Sequence, residues 1–402
     1  MNRVGEKKWI YIPLGVLIFM CLGTIYSWSV FDQPLEKMFE VRATESGLPY
    51  MAFLASYAIV MPIAGGYIDK YGPKILTIIG GAIVALGWIL SGFAMNIYFL
   101  ILTLGIIYGS GVGIVYGAII AAIAKWFPKR KGLAVGLTLG GFGLSPFITA
   151  PLANWLISNF GILTTFIILG VSFGLIIITL GFPFKFPDSD KTEAEEDSNA
   201  DDSKNLTTKE MIKTPEFYFL WFCFILGTLI GLMAIRITGP VGRDIIGLSS
   251  QTAALFVSFF AIFNGLGRPL FGWLTDRFGT MITIIISYTS ILLAGGVMLV
   301  NGDGNVVLYA IAFALFWLNL GGWLAIAPAA TAQFFGPKHY GKNYGFLFTG
   351  YGVGAVIGTS LSGQLKDLLG SYIYAFYPVI GLMIFGILLT VLIIKSDKIA
   401  TR

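Results

Sequence analysis

Twelve long apolar runs alternate with short polar loops along the chain, at about 10–31, 50–68, 75–94, 97–124, 132–154, 162–183, 216–238, 252–273, 281–300, 306–334, 342–364 and 372–394. About 20 apolar residues in a helix cross the hydrocarbon of a bilayer, so each run is long enough to span or nearly so. One stretch breaks the rhythm. Residues 185–215, KFPDSDKTEAEEDSNADDSKNLTTKEMIKTP, are polar, acidic and poor in aromatic residues, and they separate six runs from six. Such a segment cannot bury enough apolar surface to fold alone, so a flexible linker is expected there. The pattern predicts an all-α polytopic membrane protein of twelve transmembrane helices: residues 1–184, the linker 185–215, and residues 216–402. The first run is too long, and lacks the small-residue cleavage site, for a removed signal peptide.

The two six-helix halves repeat each other and are expected to be pseudo-symmetric. Gly65, Asp69 and Gly72 in GGYIDKYGPK recur as Gly272, Asp276 and Gly279 in GWLTDRFGT, each shifted by 207. Gly113, Pro128, Gly132, Gly136, Gly141 and Gly143 recur as Gly322, Pro337, Gly341, Gly345, Gly350 and Gly352, each shifted by 209. Duplication of this kind places a binding site between the halves, near the middle of the membrane. Gly132, Gly136 and Gly140, and likewise Gly350, Gly354 and Gly358, repeat every four residues. Small residues at that spacing are expected to let helix backbones approach closely.

Composition agrees with the pattern. The chain is 56% hydrophobic and only 12% charged, against roughly 25% charged in soluble domains. The formal charge of +5 does not indicate nucleic acid, because 20 of the 26 Lys and Arg residues fall in loops on one side of the twelve-span arrangement. Lys37, Arg42, Arg243 and Lys366 fall on the other side, and Arg236 and Arg268 lie within spans. The positive-inside rule then places both termini in the cytoplasm, with the protein multi-pass in the inner (plasma) membrane. Cys21 and Cys223 lie in apolar runs and are expected to pack rather than pair. His339, beside Lys338, is expected to be a solvated loop residue. No metal-ligand cluster, nucleophile–base pair or phosphate-binding loop stands out, so neither an enzyme nor a cofactor is expected.

The most informative single residue is Arg268, in FVSFFAIFNGLGRPLFGW. A cation at membrane depth costs about 2.5–3.5 kcal/mol on insertion scales. No acidic residue lies within a turn to cancel it, and the simplest compensator is an anion that comes and goes. A guanidinium holds a carboxylate through two parallel hydrogen bonds, strongly so where the dielectric is low. The structural alternative is an arginine that snorkels to the headgroups beside Asp276. Asn264 lies one turn before Arg268 on the same helix face and can donate to a carboxylate or hydroxyl. Arg236, in LMAIRITGP just before Gly239-Pro240, is expected to snorkel outward, or else to attract anions at an outer vestibule. Asn319 is polar in the middle of span 10, either on the cavity side or in an interhelical bond. No Asp or Glu is expected inside a span.

GGYIDKYGPK has the form Gly-x-x-x-Asp-[Arg/Lys]-x-Gly-x-[Arg/Lys] and resembles the loop 2–3 motif of the major facilitator superfamily. By that resemblance Asp69, with Lys70, a nearby cation such as Arg130, and Asp276 as its repeat, would gate the cytoplasmic side; otherwise these charges only anchor a turn. A narrower resemblance is carried by GTIYSWSVF, GVGIVYG, KWFPKRKGLAVGLTLGGFG and FNGLGRP, in that order. Together they are similar to the oxalate/formate antiporter family, relatives of the animal monocarboxylate transporters. The resemblance implies that Arg268 is the span 8 arginine that pairs with substrate carboxylate. It also implies that Tyr116 and Tyr26 line the cavity with hydroxyls. Phe142, Trp323 and Tyr351 are further candidate walls, with lipid or helix contact as the alternative for Phe142 and Trp323. Asn264 stands where the animal carriers have an Asp linked to proton movement, which puts proton coupling through span 8 in doubt. Tyr351 stands where oxalate-exchanging members have a second cation, a lysine.

One central cation suits a monoanion. The resemblance therefore implies a secondary active transporter of small monocarboxylates such as lactate, pyruvate, formate or acetate, working by alternating access with proton symport or by exchange. The alternatives are an oxalate/formate-type dicarboxylate exchanger with Arg236 as second cation, and a non-transporting membrane sensor on the same fold. The expected partners are a small carboxylate anion, a proton in the symport case, and the lipid bilayer, with the chain acting as a monomer.

Overall fold

The computed structural model describes residues 8–127, 131–187, 205–336 and 339–395. Among them, twelve helices are long and apolar enough to cross a membrane. They are α1 (Lys8–Phe39), α2 (Ala43–Ile68), α3 (Lys70–Ser91), α4 (Ile97–Trp126), α5 (Ala134–Phe160), α6 (Ile162–Gly181), α7 (Pro215–Asp244), α8 (Ser250–Phe278), α9 (Thr280–Val300), α10 (Val306–Phe335), α11 (Lys342–Leu369) and α12 (Tyr372–Ile393). The number and order match the sequence pattern, but several helices run further. Helix α1 continues to Phe39 and α7 to Asp244, past the ends of their apolar runs. Helix starts follow ordinary capping chemistry. Ser249 and Asn305 accept hydrogen bonds from the backbones of Thr252 and of Val307 and Leu308. Thr214 accepts from Phe217, with Pro215 in the first turn. Helices satisfy every backbone group internally, which hydrocarbon requires. Leu175, Leu293 and Leu392 stand on the outer surface, while polar side chains such as Thr138, Ser145, Asn264 and Asn319 are buried.

Glycines set the close helix contacts, in matching places in the two halves. Gly113 of α4 packs on the Tyr57–Met61 stretch of α2, and Gly322 of α10 packs on Phe271 of α8. Gly72 and Gly279 adopt the same left-handed backbone, with φ 76° and 80° and ψ 163° and 162°. Only glycine takes that conformation without strain, so the duplicated loop motif has a duplicated turn. Gly354 and Gly358 of α11 lie directly on the α7 backbone near Leu229. Gly136 and Gly140 differ from expectation: a Cβ at either would meet nothing within 4 Å. Spacing alone does not say which face of a helix finds a neighbour.

Both described termini lie at one end of the bundle, here the terminal end, and the opposite end is the far end. Among the described residues, the polar bonds between the two halves run from the centre to the far end. In the centre, Tyr26 and Tyr351 share a hydrogen bond of 2.7 Å. Toward the far end, Ser258 donates to the carbonyl of Pro146, Tyr50 to that of Leu232, and the Thr44 backbone to Asp367. Toward the terminal end, α2 and α11 still touch where Gly345 meets Pro62.

Part of the expected linker is ordered against the second half. A short helix, Thr208–Met211, opens with a capping box between Thr207 and Glu210. The Thr207 hydroxyl and backbone N–H hold the exposed Glu210 carboxyl below its ordinary pKa. Leu206 donates to the carbonyl of Phe335, and Asn343 joins Leu206 to the Thr208 hydroxyl. Residues 205–214 are therefore fixed to α10 and α11 rather than loosely tethered; residues 188–204 of the expected linker lie outside the described residues.

Candidate functional site at the interface between the halves

Helix α8 crosses α5 and α10 at the middle of the bundle. Against α10 there is no room for side chains: Gly321 lies on the backbone of Asn264, and Gly267 lies on the carbonyl of Leu318. The Gly-Gly of NLGGW thus holds α8 in place and turns Asn264 and Arg268 toward α5. Arg268 is 7% exposed, and its Nη1 donates to the Leu139 carbonyl of α5 at 2.5 Å. It does not snorkel to the headgroups, and among the described residues no carboxylate pairs with it. Asn264 is fully buried, and neither its amide oxygen nor its amide nitrogen has a hydrogen-bond partner; Arg268 Nε has none either. Leaving one buried polar group unpaired costs about 1–3 kcal/mol. A cluster of three such atoms beside a buried cation makes this the candidate binding place.

Gly143 of α5 faces this pair. A Cβ there would come within 2.6 Å of Asn264 Oδ1 and 3.4 Å of an Arg268 amine. Gly143→Ala is expected to displace the Asn264 amide and weaken carboxylate binding by about tenfold. Titration of the purified variant beside wild type checks this, and an unchanged affinity would remove Asn264 from the site.

An aromatic wall surrounds the pair, with residues from both halves. Phe142 packs on Tyr26 at 5.0 Å, Tyr116 at 6.0 Å and Tyr57 at 6.3 Å between ring centroids. Tyr351 stacks on Phe348 at 4.8 Å, and Phe348 packs on Tyr57 at 5.4 Å. Tyr26 stands in a 3₁₀ turn, Gly23–Ser27, that interrupts α1; such tight mid-helix turns often mark functional hinges. The structure thus brings together Arg268, Asn264, Tyr26, Tyr116, Phe142 and Tyr351. It adds Tyr57 and Phe348, which sequence reasoning missed because an aromatic residue in an apolar run looks like lipid-facing or core packing.

Three expected residues lie elsewhere. Asn319 is not on the cavity side. Its amide oxygen accepts from Ser287, and its nitrogen donates to Ser290 and to the Leu315 carbonyl, which joins α10 to α9 inside the second half. Trp323 stacks on Tyr288 of α9 at 5.5 Å and lies against Gly227 of α7. It is core of the second half, behind Phe224, although its Nε1 lacks a partner. Arg236 does not snorkel outward. It is fully buried and points from α7 into the first half, 3.8 Å from Asp32 of α1. It donates to the Ala43 carbonyl and, at 3.2 Å, to the Ser46 hydroxyl.

Asp32 and Glu36 also overturn the expectation that no carboxylate lies inside a span. Both lie on α1 one turn apart, and both lie within donation distance of the Ser46 hydroxyl, at 3.1 and 2.9 Å. The four-residue spacing of two acids just past an apolar run was the available signal. Of the loop charges, Lys70 and Asp276 are exposed at the terminal end. Arg130 and the Asp69 side chain lie outside the described residues.

The family model of the Major Facilitator Superfamily matches residues 13–333 and again 243–401. The chain belongs to the major facilitator superfamily. Its relatives within that superfamily include the oxalate:formate antiporter of Oxalobacter formigenes, 29% identical over 368 residues that cover 90% of this chain and 86% of the relative. Monocarboxylate transporter 12 of Xenopus laevis is 27% identical over 406 residues, covering 92% of this chain and 85% of that protein. Among solved structures, a bacterial homologue of the human lysosomal transporter Spinster, inward-facing and unoccupied, matches with a TM-score of 0.71. That match is 14% identical and covers 98% of this chain and 96% of the other, which establishes the shared fold. As a major facilitator protein with twelve apolar helices, the chain is a multi-pass membrane transporter and not an enzyme.

Proposed function

We propose that this transporter carries small monocarboxylates such as lactate, pyruvate, formate or acetate, by alternating access to the Arg268–Asn264 site. The observation that carries the reading is the buried Arg268 guanidinium without a carboxylate partner among the described residues, beside an Asn264 amide with no hydrogen-bond partner. A carboxylate there would take the guanidinium fork through its two oxygens. The Asn264 amide would orient a neighbouring hydroxyl or oxo group, and Tyr116 and Tyr26 would supply apolar walls with hydroxyl tips. The names of two relatives, an oxalate:formate antiporter and a monocarboxylate transporter, support a small organic anion. The charge count supports a monoanion. Among the described residues, the other buried cation between the halves is Arg236, which is engaged with Asp32, and Tyr351 stands where the resemblance calls for a second cation.

The distribution of Lys and Arg supports a plasma-membrane protein with both termini cytoplasmic. The far end is then the outer side, and the described arrangement is closed there. Both halves of the site come from one chain, so the monomer is the working unit. On the cytoplasmic side, Asp69 with Lys70 and Arg130, and Asp276 in the second half, are proposed to gate by alternate pairing.

Uptake of labelled lactate into proteoliposomes under an inward proton gradient, with excess oxalate in a parallel sample, tests this reading. Uptake that oxalate leaves unchanged supports monocarboxylate symport. Uptake only into vesicles preloaded with carboxylate supports exchange, and strong inhibition by oxalate favours the dianion reading. Tyr351→Lys is expected to add the second cation and raise oxalate competition by about tenfold or more, since one desolvated charged hydrogen bond contributes roughly 1.5–3 kcal/mol. Unchanged competition would remove Tyr351 from the substrate contact.

A further inference from the structure

We propose that Asp32 is a proton-binding residue of this transporter, and that a proton there releases the latch that holds the two halves together at the far end. Asp32 and Arg236 are both fully buried and belong to opposite halves. Asp32 Oδ1 accepts from Trp28 Nε1 at 3.0 Å and from Ser46 at 3.1 Å, and the Arg236 amine lies 3.8 Å from it. Oδ2 has no partner, and neither has Arg236 Nε. The carboxylate therefore keeps one oxygen free for a proton, inside a contact that otherwise excludes water.

Hydrogen counting points the same way. The Ser46 hydroxyl has one hydrogen, yet Asp32 Oδ1, Glu36 Oε1 and the Ala43 carbonyl all lie within donation distance, at 3.1, 2.9 and 3.1 Å. Only one can be served at a time. Other charged or titratable groups face the pair: Glu36 from α1, Tyr50 from α2, Arg243 from α7, Asp367 from α11 and Tyr372 from α12. Asp367 is engaged by the Thr44 backbone and Tyr50 donates to Leu232, so neither replaces Asp32 as partner of Arg236.

The proton step balances simply. A hydronium ion gives its proton to Oδ2 and leaves as water; Asp32 becomes neutral, and Arg236 keeps its charge. A buried guanidinium that has lost its counter-ion is strongly destabilised, and its relief is water. Water reaches it when α1 and α2 part from α7 and α11. A proton thus enters the cycle away from the anion site, which itself holds Asn264 in place of a titratable group. The carrier reading gives this latch its purpose in a cycle, but latch opening is measured without substrate, so either can fail alone.

The test is a spin-label distance between Lys37→Cys on α1 and Gln364→Cys on α11, both exposed at the far end, with Cys21 and Cys223 replaced by Ala, in lipid. Between about pH 8 and about pH 5, which spans perturbed carboxylate titration, wild type is expected to shift its closed-to-open ratio by at least about tenfold. Asp32→Asn is expected to show the open distance at both pH values with no pH response, and Glu36→Gln to retain a response. If Asp32→Asn alone does not fold, Asp32→Asn with Arg236→Gln removes both charges and is read in its place. A wild-type distance that ignores pH, or a pH response that survives in the Asp32 variant, overturns the proposal.

Discussion

Arg268→Ala is expected to abolish measurable carboxylate transport while leaving the protein folded. Two charged hydrogen bonds to a carboxylate, at roughly 1.5–3 kcal/mol each, correspond to a loss of about a hundredfold to ten-thousandfold in affinity. The fold should survive because no buried counter-ion is stranded: what Arg268 leaves behind is the Leu139 carbonyl that accepted from it. That lost bond costs about 1 kcal/mol. Arg268→Lys keeps the charge but not the planar fork, and should fall between the two. Ligand titration and thermal unfolding of the same purified samples check both halves of this expectation. A variant that binds as wild type does, or that unfolds without ligand being involved, would make Arg268 a structural residue.

Arg236→Ala is expected to behave in the opposite way. Its partner Asp32 stays behind as a charge with no exposure to water. Breaking a buried ion pair from one side costs about 3–5 kcal/mol, a large share of the stability of most proteins. Asp32→Asn in the same chain should recover much of that loss, and a double-mutant cycle on unfolding temperature measures the coupling. Two independent losses that simply add would show that the pair is not a unit. The two arginines differ in their surroundings: Arg236 is compensated by Asp32, and Arg268 has no carboxylate partner among the described residues, which is why it is the one proposed to meet a ligand.

The twelve spans, the duplicated loops and Arg268 were legible in the sequence because each depends on local chemistry. Apolar length fixes a span, Gly72 and Gly279 fix a turn, and an arginine in an apolar run has few uses. Arg236 was misread because Gly239-Pro240 suggests a helix end; the helix instead continues through Pro240 to Asp244, with Gly239 pressed on the Ser29 carbonyl of α1. Asp32 was missed for the matching reason. Polarity rises there as it does at the end of a span, but α1 continues, and a cation from the other half meets the carboxylate. Asn319 had two open readings, and the hydroxyls of Ser287 and Ser290 on α9 decide between them. These outcomes depend on pairs far apart in the chain, and composition and periodicity do not report such pairs.

The most direct single measurement is counterflow: labelled lactate at trace level outside proteoliposomes that are preloaded with unlabelled lactate. Wild type should accumulate label transiently above its equilibrium level, and Arg268→Ala should not. Absence of counterflow by folded wild type with lactate, pyruvate, formate, acetate or oxalate in turn would contradict a carboxylate site at Arg268.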